Sequence, residues 1–282
     1  MFIDNSQAQA FRLCPLYWYN SYQVEGLGLE PKANLNEVTP LGLGSRIHEL
    51  LEEHYKQALL YPPSENAALE IEAQMIMEAY KAKYPQETFT VEDIERTFKV
   101  ELPTKIGGYE SRYKHIYTGK IDLVVRENEG LYLIDHKSEK RRSNSNSPKK
   151  WAARDQASLY LWAAAKVYKE EIKGFFVNVL KRPSDKLQEG PLFPDRQRLE
   201  RTPEQIEIAV RDLVIVADQI EDYQQMFKDT LFPSNKENCF NGYYECSFYL
   251  PCTYGWSEEI RREKYQAKKP YLNLTGVPII QP

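Results

Sequence analysis

The chain has 282 residues, 42% of them hydrophobic and 28% charged, with a formal net charge of −4 at pH 7. That length can bury a full core, and the composition is that of a soluble globular protein rather than a disordered or fibrous one. A global basic footprint for nucleic acid is excluded, so any polyanion must be held by a local patch. No apolar run approaches the roughly 20 residues that span a bilayer. Met1 to Ser6 lacks the basic and apolar regions of a signal peptide. The cytoplasm is the expected compartment, where four cysteines read as free thiols or ligands rather than disulfides.

In chain order, residues 1–40 are aromatic, with Phe11, Tyr17, Trp18, Tyr19 and Tyr22, and show no clean period. Leu43, Ile47, Leu50, Leu51, Ala58 and Leu59 fit a 3.6-residue period and predict a helix from about Gly44 to Leu60. Pro63 and Pro85 bracket a second helix, over about Glu65 to Tyr84. Residues 88–103, 109–126 and 131–137 read as strands, and 139–150 as a polar loop. A helix is expected over Trp151 to Tyr168, a strand over Lys173 to Leu180, and a Pro-rich connection over 183–202. The stripe Ile206, Val210, Leu213, Val214, Ala217 and Ile220 predicts a long helix from Pro203 to about Phe227. Strands followed by mixed strand and helix argue for one mixed sheet flanked by helices.

The two central strands carry the chemistry. Thr118 to Val125 plants Asp122 in an apolar run; Leu131 to Ser138 plants Asp135, with Lys137 two residues on. Strand side chains alternate, so Asp135 and Lys137 share a face. A two-residue turn at Asn128 and Glu129 would place Asp122 opposite Asp135. A three-residue loop with a bulge at Gly130 would put the aspartates on opposite faces. Two buried carboxylates and an ammonium at one spot are costly unless paired or on a metal, which points to a metal-dependent hydrolytic site.

Other residues gain meaning beside that pair. Gln156 and Tyr160 lie four apart on one face of the expected helix. His48 follows the core residue Ile47 and could ligate a metal as neutral imidazole. Residues 137–154 hold seven basic side chains, Lys137, Lys140, Arg141, Arg142, Lys149, Lys150 and Arg154, against one acid, Glu139. Such a loop beside a metal site suits a phosphate backbone. Cys239, Cys246 and Cys252 cluster near the C-terminus, and Cys14 stands far upstream. Four thiols suit a 4Fe–4S cluster or a zinc ion. The lack of a Cys-x-x-Cys pair and the aromatics Phe240, Tyr243, Tyr244, Phe248 and Tyr249 favour iron–sulfur.

Gly44 to Glu52, Gly119-Lys120-Ile121-Asp122, Ile134-Asp135-His136-Lys137-Ser138 and Gln156-Ala157-Ser158-Leu159-Tyr160 follow one another in order, within the frame of one early and three late cysteines. Together they resemble the PD-(D/E)xK nuclease superfamily, in its RecB-like iron–sulfur exonuclease branch. That branch includes AddB-type nuclease domains, CRISPR-associated RecB-like exonucleases and phage exonucleases. The resemblance implies a restriction-endonuclease-like α/β core over 41–182. A cluster-bearing segment, 1–40, would precede it, and a helical, cysteine-bearing region, 183–282, would close the same domain, a four-cysteine metal cluster clasping the two ends. It further implies a metal-dependent DNA exonuclease acting on single strands or ends, in repair, recombination, phage replication or CRISPR adaptation. A non-catalytic DNA-binding or adaptor protein and a structure-specific endonuclease are the alternatives. Mg²⁺ or Mn²⁺ would be held by His48, Asp122, Asp135 and the backbone carbonyl of His136. Lys137 would orient a water or stabilise charge, and Gln156 and Tyr160 would position Lys137 or the phosphate. Lys140, Arg141, Arg142, Lys149, Lys150 and Arg154 would grip DNA, with Trp151 stacking on bases. The Cys-x6-Cys-x5-Cys spacing departs from the family's frequent Cys-x-x-Cys.

Overall fold

The helices begin where the sequence offers caps. In a computed structural model, Asp4 caps α1 (Asn5–Leu13) through the amide of Gln7, and Pro15 opens α2 (Pro15–Tyr22). Thr39 accepts from the amide of Gly42 to start α3 (Pro40–Lys56), and Asn66 accepts from Leu69 to start α4 (Ala67–Lys83). The aromatic first forty residues thus hold two short helices that no period announced. The third helix starts earlier than its apolar stripe and stops where Gln57 turns left-handed, at φ 53°.

Next come β1 (Thr90–Glu101), β2 (Ile116–Glu127) and β3 (Gly130–Glu139), then α5 (Ser147–Ala152), α6 (Gln156–Tyr168), β4 (Ile172–Lys181), β5 (Gln197–Leu199) and α7 (Pro203–Met226). One helix was expected over 151–168; the structure splits it after Ala152. Arg201 explains the break. Its Nη2 donates to the carbonyl oxygens of Ala152 at 2.5 Å and Arg154 at 3.4 Å, and its Nε to Ser158 Oγ at 3.0 Å. Those carbonyls are satisfied by a side chain instead of by the next helical turn.

The described residues are 1–26, 28–32, 37–128, 130–139, 147–181, 196–241, 244–269, 272 and 274–281. They form an α/β structure in which a mixed sheet carries helices, as the element pattern predicts. The chain divides into two units, Met1–Ala33 with Phe98–Gly119 and Glu207–Pro282, and Asn34–Thr97 with Lys120–Ile206. Among the described residues, no helix is long and apolar enough to cross a membrane.

In the second unit the sheet order is β1-β2-β3-β4-β5, with β2/β3 antiparallel, β3/β4 parallel and β4/β5 antiparallel. Leu180 of β4 joins the apolar cluster of α3 and α4, built on Leu43, Ile47, Leu50, Ala73, Ile76 and Tyr80. Phe175 of the same strand packs on Tyr160 of α6, with ring centroids 6.3 Å apart. Strand residues of opposite parity face opposite ways, so α3 and α4 cover one face of the sheet and α6 the other. Gly44 lets α3 approach β3 closely: a Cβ there would lie 3.1 Å from Ser138 Oγ.

In the first unit, Phe2–Ile3 pairs in parallel with β2 at Ile116 and Tyr117, and Ile279–Ile280 with β1 at Lys99 and Val100. The apolar stripe of α7, Val210, Leu213, Val214, Ala217 and Ile220, is buried. Asp218 beside it is buried too, and takes hydrogen bonds from Ser111 Oγ at 2.6 Å, His115 Nε2 at 2.7 Å and Tyr109 OH at 2.8 Å. A carboxylate so surrounded by donors tolerates burial.

Candidate metal and catalytic centre

The turn between β2 and β3 decides the phase of the aspartates. Glu127 pairs with Gly130 and Leu123 with Ile134, so the strands are joined in the shorter of the two expected registers; Asn128 adopts a left-handed φ of 48°, and Glu129 lies outside the described residues. Asparagine tolerates that region better than most residues. The next step along the register brings Asp122 level with Asp135. There the side chain of Asp122 takes up the strand's hydrogen bonding: its Oδ2 accepts from the amide of His136 at 2.7 Å. Its Oδ1 lies 3.6 Å from Nδ1 of His48, which α3 supplies. Arg46 fixes that helix by donating to both Glu70 oxygens, at 2.7 and 3.1 Å, and to Glu49 at 2.9 Å.

Glu95 of β1 completes a group that the sequence did not single out. Its Oε1 is 3.7 Å from His48 Nδ1, and one ligand atom each from His48, Glu95 and Asp122 lie within 4.8 Å of one another. Glu95 reaches inward because the strand turns left-handed there, at φ 52°. That conformation is costly for a non-glycine residue and marks candidate functional positions. Lys120 pairs with the other Glu95 oxygen. The charges shift accordingly. Burial, with Asp135 and Glu95 adding to it, raises the Asp122 carboxyl to about 6 despite the opposing pull of His48 and Lys137. Burial works against the His48 imidazolium, but the carboxylates of Asp122 and Glu95 outweigh it and raise its pKa. Glu95 is lowered, since His48 and Lys120 overcome its desolvation. A half-buried imidazole and two carboxylates are a donor set that fits a divalent cation such as Mn²⁺ or Mg²⁺.

Asp135 faces a second set of partners. Its Oδ1 accepts from Lys137 Nζ at 2.9 Å and from Gln156 Nε2 at 3.1 Å, and its Oδ2 lies 2.7 Å from the same ammonium. Gln156 thus holds the carboxylate beside Lys137 rather than the lysine itself. Tyr160, one turn on, is buried against the sheet. His136 points to the opposite face, buried between Tyr55 and Tyr80 at 6.3 and 6.1 Å, with Nδ1 2.9 Å from Asn178 Nδ2. Burial drives its pKa well below the ordinary value, so the ring is neutral.

Of the expected DNA-gripping residues, Lys140, Arg141 and Arg142 lie outside the described residues, as does the side chain of Lys149. Lys150 is exposed and Arg154 half-buried. Trp151 does not present a face for bases. It is only 8% exposed, and its Nε1 donates to Glu139 Oε1 at 2.8 Å. The expectation of base stacking there is corrected: the ring is covered because α5 packs it against β3.

In the first unit, Cys14, Cys239, Cys246 and Cys252 all line one cavity of about 320 Å³, with Tyr17, Phe240, Phe248 and Tyr249. Cys14 stands between α1 and α2, and its Sγ accepts from the amide of Asn235 at 3.2 Å. The amide of Cys246 donates to the carbonyl of Cys239 at 2.8 Å. Burial pushes the Cys252 thiol up to about 11, and the thiols of Cys246, Cys14 and Cys239 add to the shift. The four thiols share one aromatic-lined cavity, and four cysteines are the ligand type that zinc and iron–sulfur groups use. Tyr243 and the side chain of Tyr244 lie outside the described residues.

Comparison with known proteins bears on the fold and the family. A chain from Eubacterium rectale described as "Putative exonuclease" superposes with a TM-score of 0.51 at 13% identity, over 90% of this chain and 94% of that one. At that identity the likeness is one of fold. A second solved structure, of SSO0001, aligns at a TM-score of 0.37 and 13% identity over 80% of this chain and 90% of that one, too low to carry an argument. No curated protein matches the sequence. The family model for the PD-(D/E)XK nuclease superfamily matches residues 5–254. The match spans most of the sequence, including both the carboxylate strands and the cysteines, and the chain belongs to the PD-(D/E)XK nuclease superfamily.

Proposed function

We propose that this protein is a Mg²⁺- or Mn²⁺-dependent deoxyribonuclease, acting as an exonuclease on single strands or DNA ends. The observation that carries the reading is the convergence of His48, Glu95 and Asp122 within 4.8 Å of one another, beside the Asp135–Lys137 pair at 2.7 Å. When bound there, a divalent cation supplies charge neutralisation at the phosphate and lowers the pKa of water.

The residues of the chain supply the rest. His48, Glu95 and Asp122 bind the cation, and Asp135 completes the set from β3. The His136 amide faces Asp122; an extended residue turns its N–H and C=O to the same side, so its carbonyl oxygen is offered to the same place. Lys137 orients the attacking water or stabilises negative charge developing on the phosphate. Gln156 fixes the Asp135 carboxylate through its amide. Lys150 and Arg154 neutralise flanking phosphates. The four cysteines hold a 4Fe–4S cluster, or zinc in its place, as a structural group.

The test is digestion of 5′- and 3′-labelled single- and double-stranded oligonucleotides by the full chain with Mg²⁺, Mn²⁺ or EDTA. We expect metal-dependent shortening from an end, and a loss of roughly 10²–10³-fold or more in Asp135→Ala. Cleavage by Asp135→Ala at the wild-type rate would remove that residue from the centre. Internal cleavage of circular substrates would turn the reading from exonuclease to endonuclease.

A further inference from the structure

Trp151 occupies a place that base stacking does not explain. Asp135, Lys137 and Glu139 alternate along β3 and face one way. The indole is anchored to the last of them, through Nε1 to Glu139 Oε1 at 2.8 Å. Its ring centroid lies 5.5 Å from the Lys137 ammonium, 5.1 Å from the Lys150 ammonium and 4.4 Å from the Arg154 guanidinium. Cations within about 6 Å of an indole face are attracted to it, more strongly where water is scarce. Trp151 is 8% exposed, so the attraction acts in a largely dry setting.

We infer that Trp151 is a positioning residue for Lys137, holding its ammonium on the reacting face of β3; the inference rests on the nuclease reading above. Lysine carries its charge on a long, flexible stem, and fixing it costs rotamer entropy. Asp135 also holds Lys137, but a carboxylate recruited by a cation or screened by a phosphate loosens its grip on an ammonium. The indole is neutral and is recruited by neither. Its hold persists through the stage at which Lys137 must face the phosphate. The anchor to Glu139 sets the height of the ring along the strand. Lys150 and Arg154 share the platform, which ties the phosphate-gripping cations to the catalytic one.

The test compares Trp151→Leu, which removes the π face, with Trp151→Phe, which keeps a smaller one. Single-turnover cleavage at saturating DNA should fall roughly 3- to 30-fold in the leucine variant, and phenylalanine should recover most of that loss. A second readout is independent of activity. In the chain labelled with ε-¹³C lysine, the Lys137 ε-methylene, assigned with Lys137→Arg, should show an upfield ring-current shift. Trp151→Leu should abolish the shift and Trp151→Phe should retain part of it. A leucine variant that cleaves at the wild-type saturated rate overturns the inference, even if its KM rises, because the indole would then serve only the grip on DNA. So does a phenylalanine variant as slow as leucine, or a wild-type Lys137 resonance without the shift. A wild-type chain inert on DNA would sink the nuclease reading instead, so the two failures are distinguishable.

Discussion

The carboxylate centre and the cysteine pocket both crowd donors of one kind, and they balance the crowding differently. In the centre most acids have a counter-charge: Glu95 has Lys120, Asp135 has Lys137, and His48 sits between Glu95 and Asp122. Asp122 shares His48 with Glu95, and its burial outweighs that partner, raising its carboxyl to about 6. In the pocket burial raises the thiol of Cys246 and pushes that of Cys252 up to about 11. A carboxylate must find cations or hydrogen-bond donors in order to be buried charged, whereas burial of a thiol favours its protonated form. The supports differ as well. Long strands hold the carboxylates, while Cys239 ends a four-residue 3-10 turn and Cys252 lies in a six-residue helix. A metal held by those thiols would therefore have the larger part in ordering its own surroundings.

The most severe test of that contrast removes a thiol. The chain purified anaerobically should carry iron and visible thiolate charge-transfer absorbance, and Cys14→Ser should lose most of both. Its melting temperature should fall by about 10 °C, since a few kcal/mol of metal-linked stability are lost. Mn²⁺ affinity at the carboxylate centre should hold in a titration at a temperature where the variant is folded. Unchanged metal content would remove Cys14 from the ligand set, and a colourless wild type rich in zinc would reassign the group.

Glu95→Gln attacks the other side of the contrast. It keeps the shape of the side chain but removes the charge that His48 and Lys120 balance. Mn²⁺ affinity, followed by calorimetry, should fall at least about tenfold, the scale at which even outer-shell partners act. An unchanged affinity would leave Asp122 and Asp135 as the carboxylate ligands. The cysteine absorbance should not move.

The smallest effect tests the balancing rule away from either site. Arg46 holds the Glu70 carboxyl at about 2, below its ordinary 4.5. A folded value below the unfolded one means the pair stabilises fully above pH about 4.5 and loses that contribution as pH falls towards about 2. Glu70→Gln should therefore be less stable than wild type at pH 7, with the gap closing in urea titrations at pH 4 and 3. A gap independent of pH would show that the pair acts through shape alone.

How much of this was legible depends on the range of the interaction. Asp135-x-Lys137 shares a face by the two-residue period, which is local, but whether Asp122 stood level with it stayed open between two turns until the strand pairing set it. The apolar stripe of α3 put His48 beside core Ile47, and the four-residue step put Gln156 and Tyr160 on one helix. Glu95 left no such trace. In Thr90-Val91-Glu92-Asp93-Ile94-Glu95 three acids compete, and the left-handed turn that selects the third is set by the strand's surroundings. Trp151 among lysines reads equally as a base-stacking ring or a covered one. Burial by α5 against β3 decides it. The break after Ala152 rests on Arg201, about fifty residues on, which no window over that helix contains.

Local patterns were enough to specify the central strands, two alternative registers for them and the donor chemistry, because period, turn length and residue type act over a few residues; the strand pairing selected one register. Which donors meet depended on packing between distant elements. Glu95 joins His48 and Asp122 because β1, α3 and β2 converge there. Asp135 turns to Lys137 and Gln156 because α6 packs on the opposite face from α3. A buried charge is stable only where packing brings it a partner, and partners from separate elements are chosen by the whole fold.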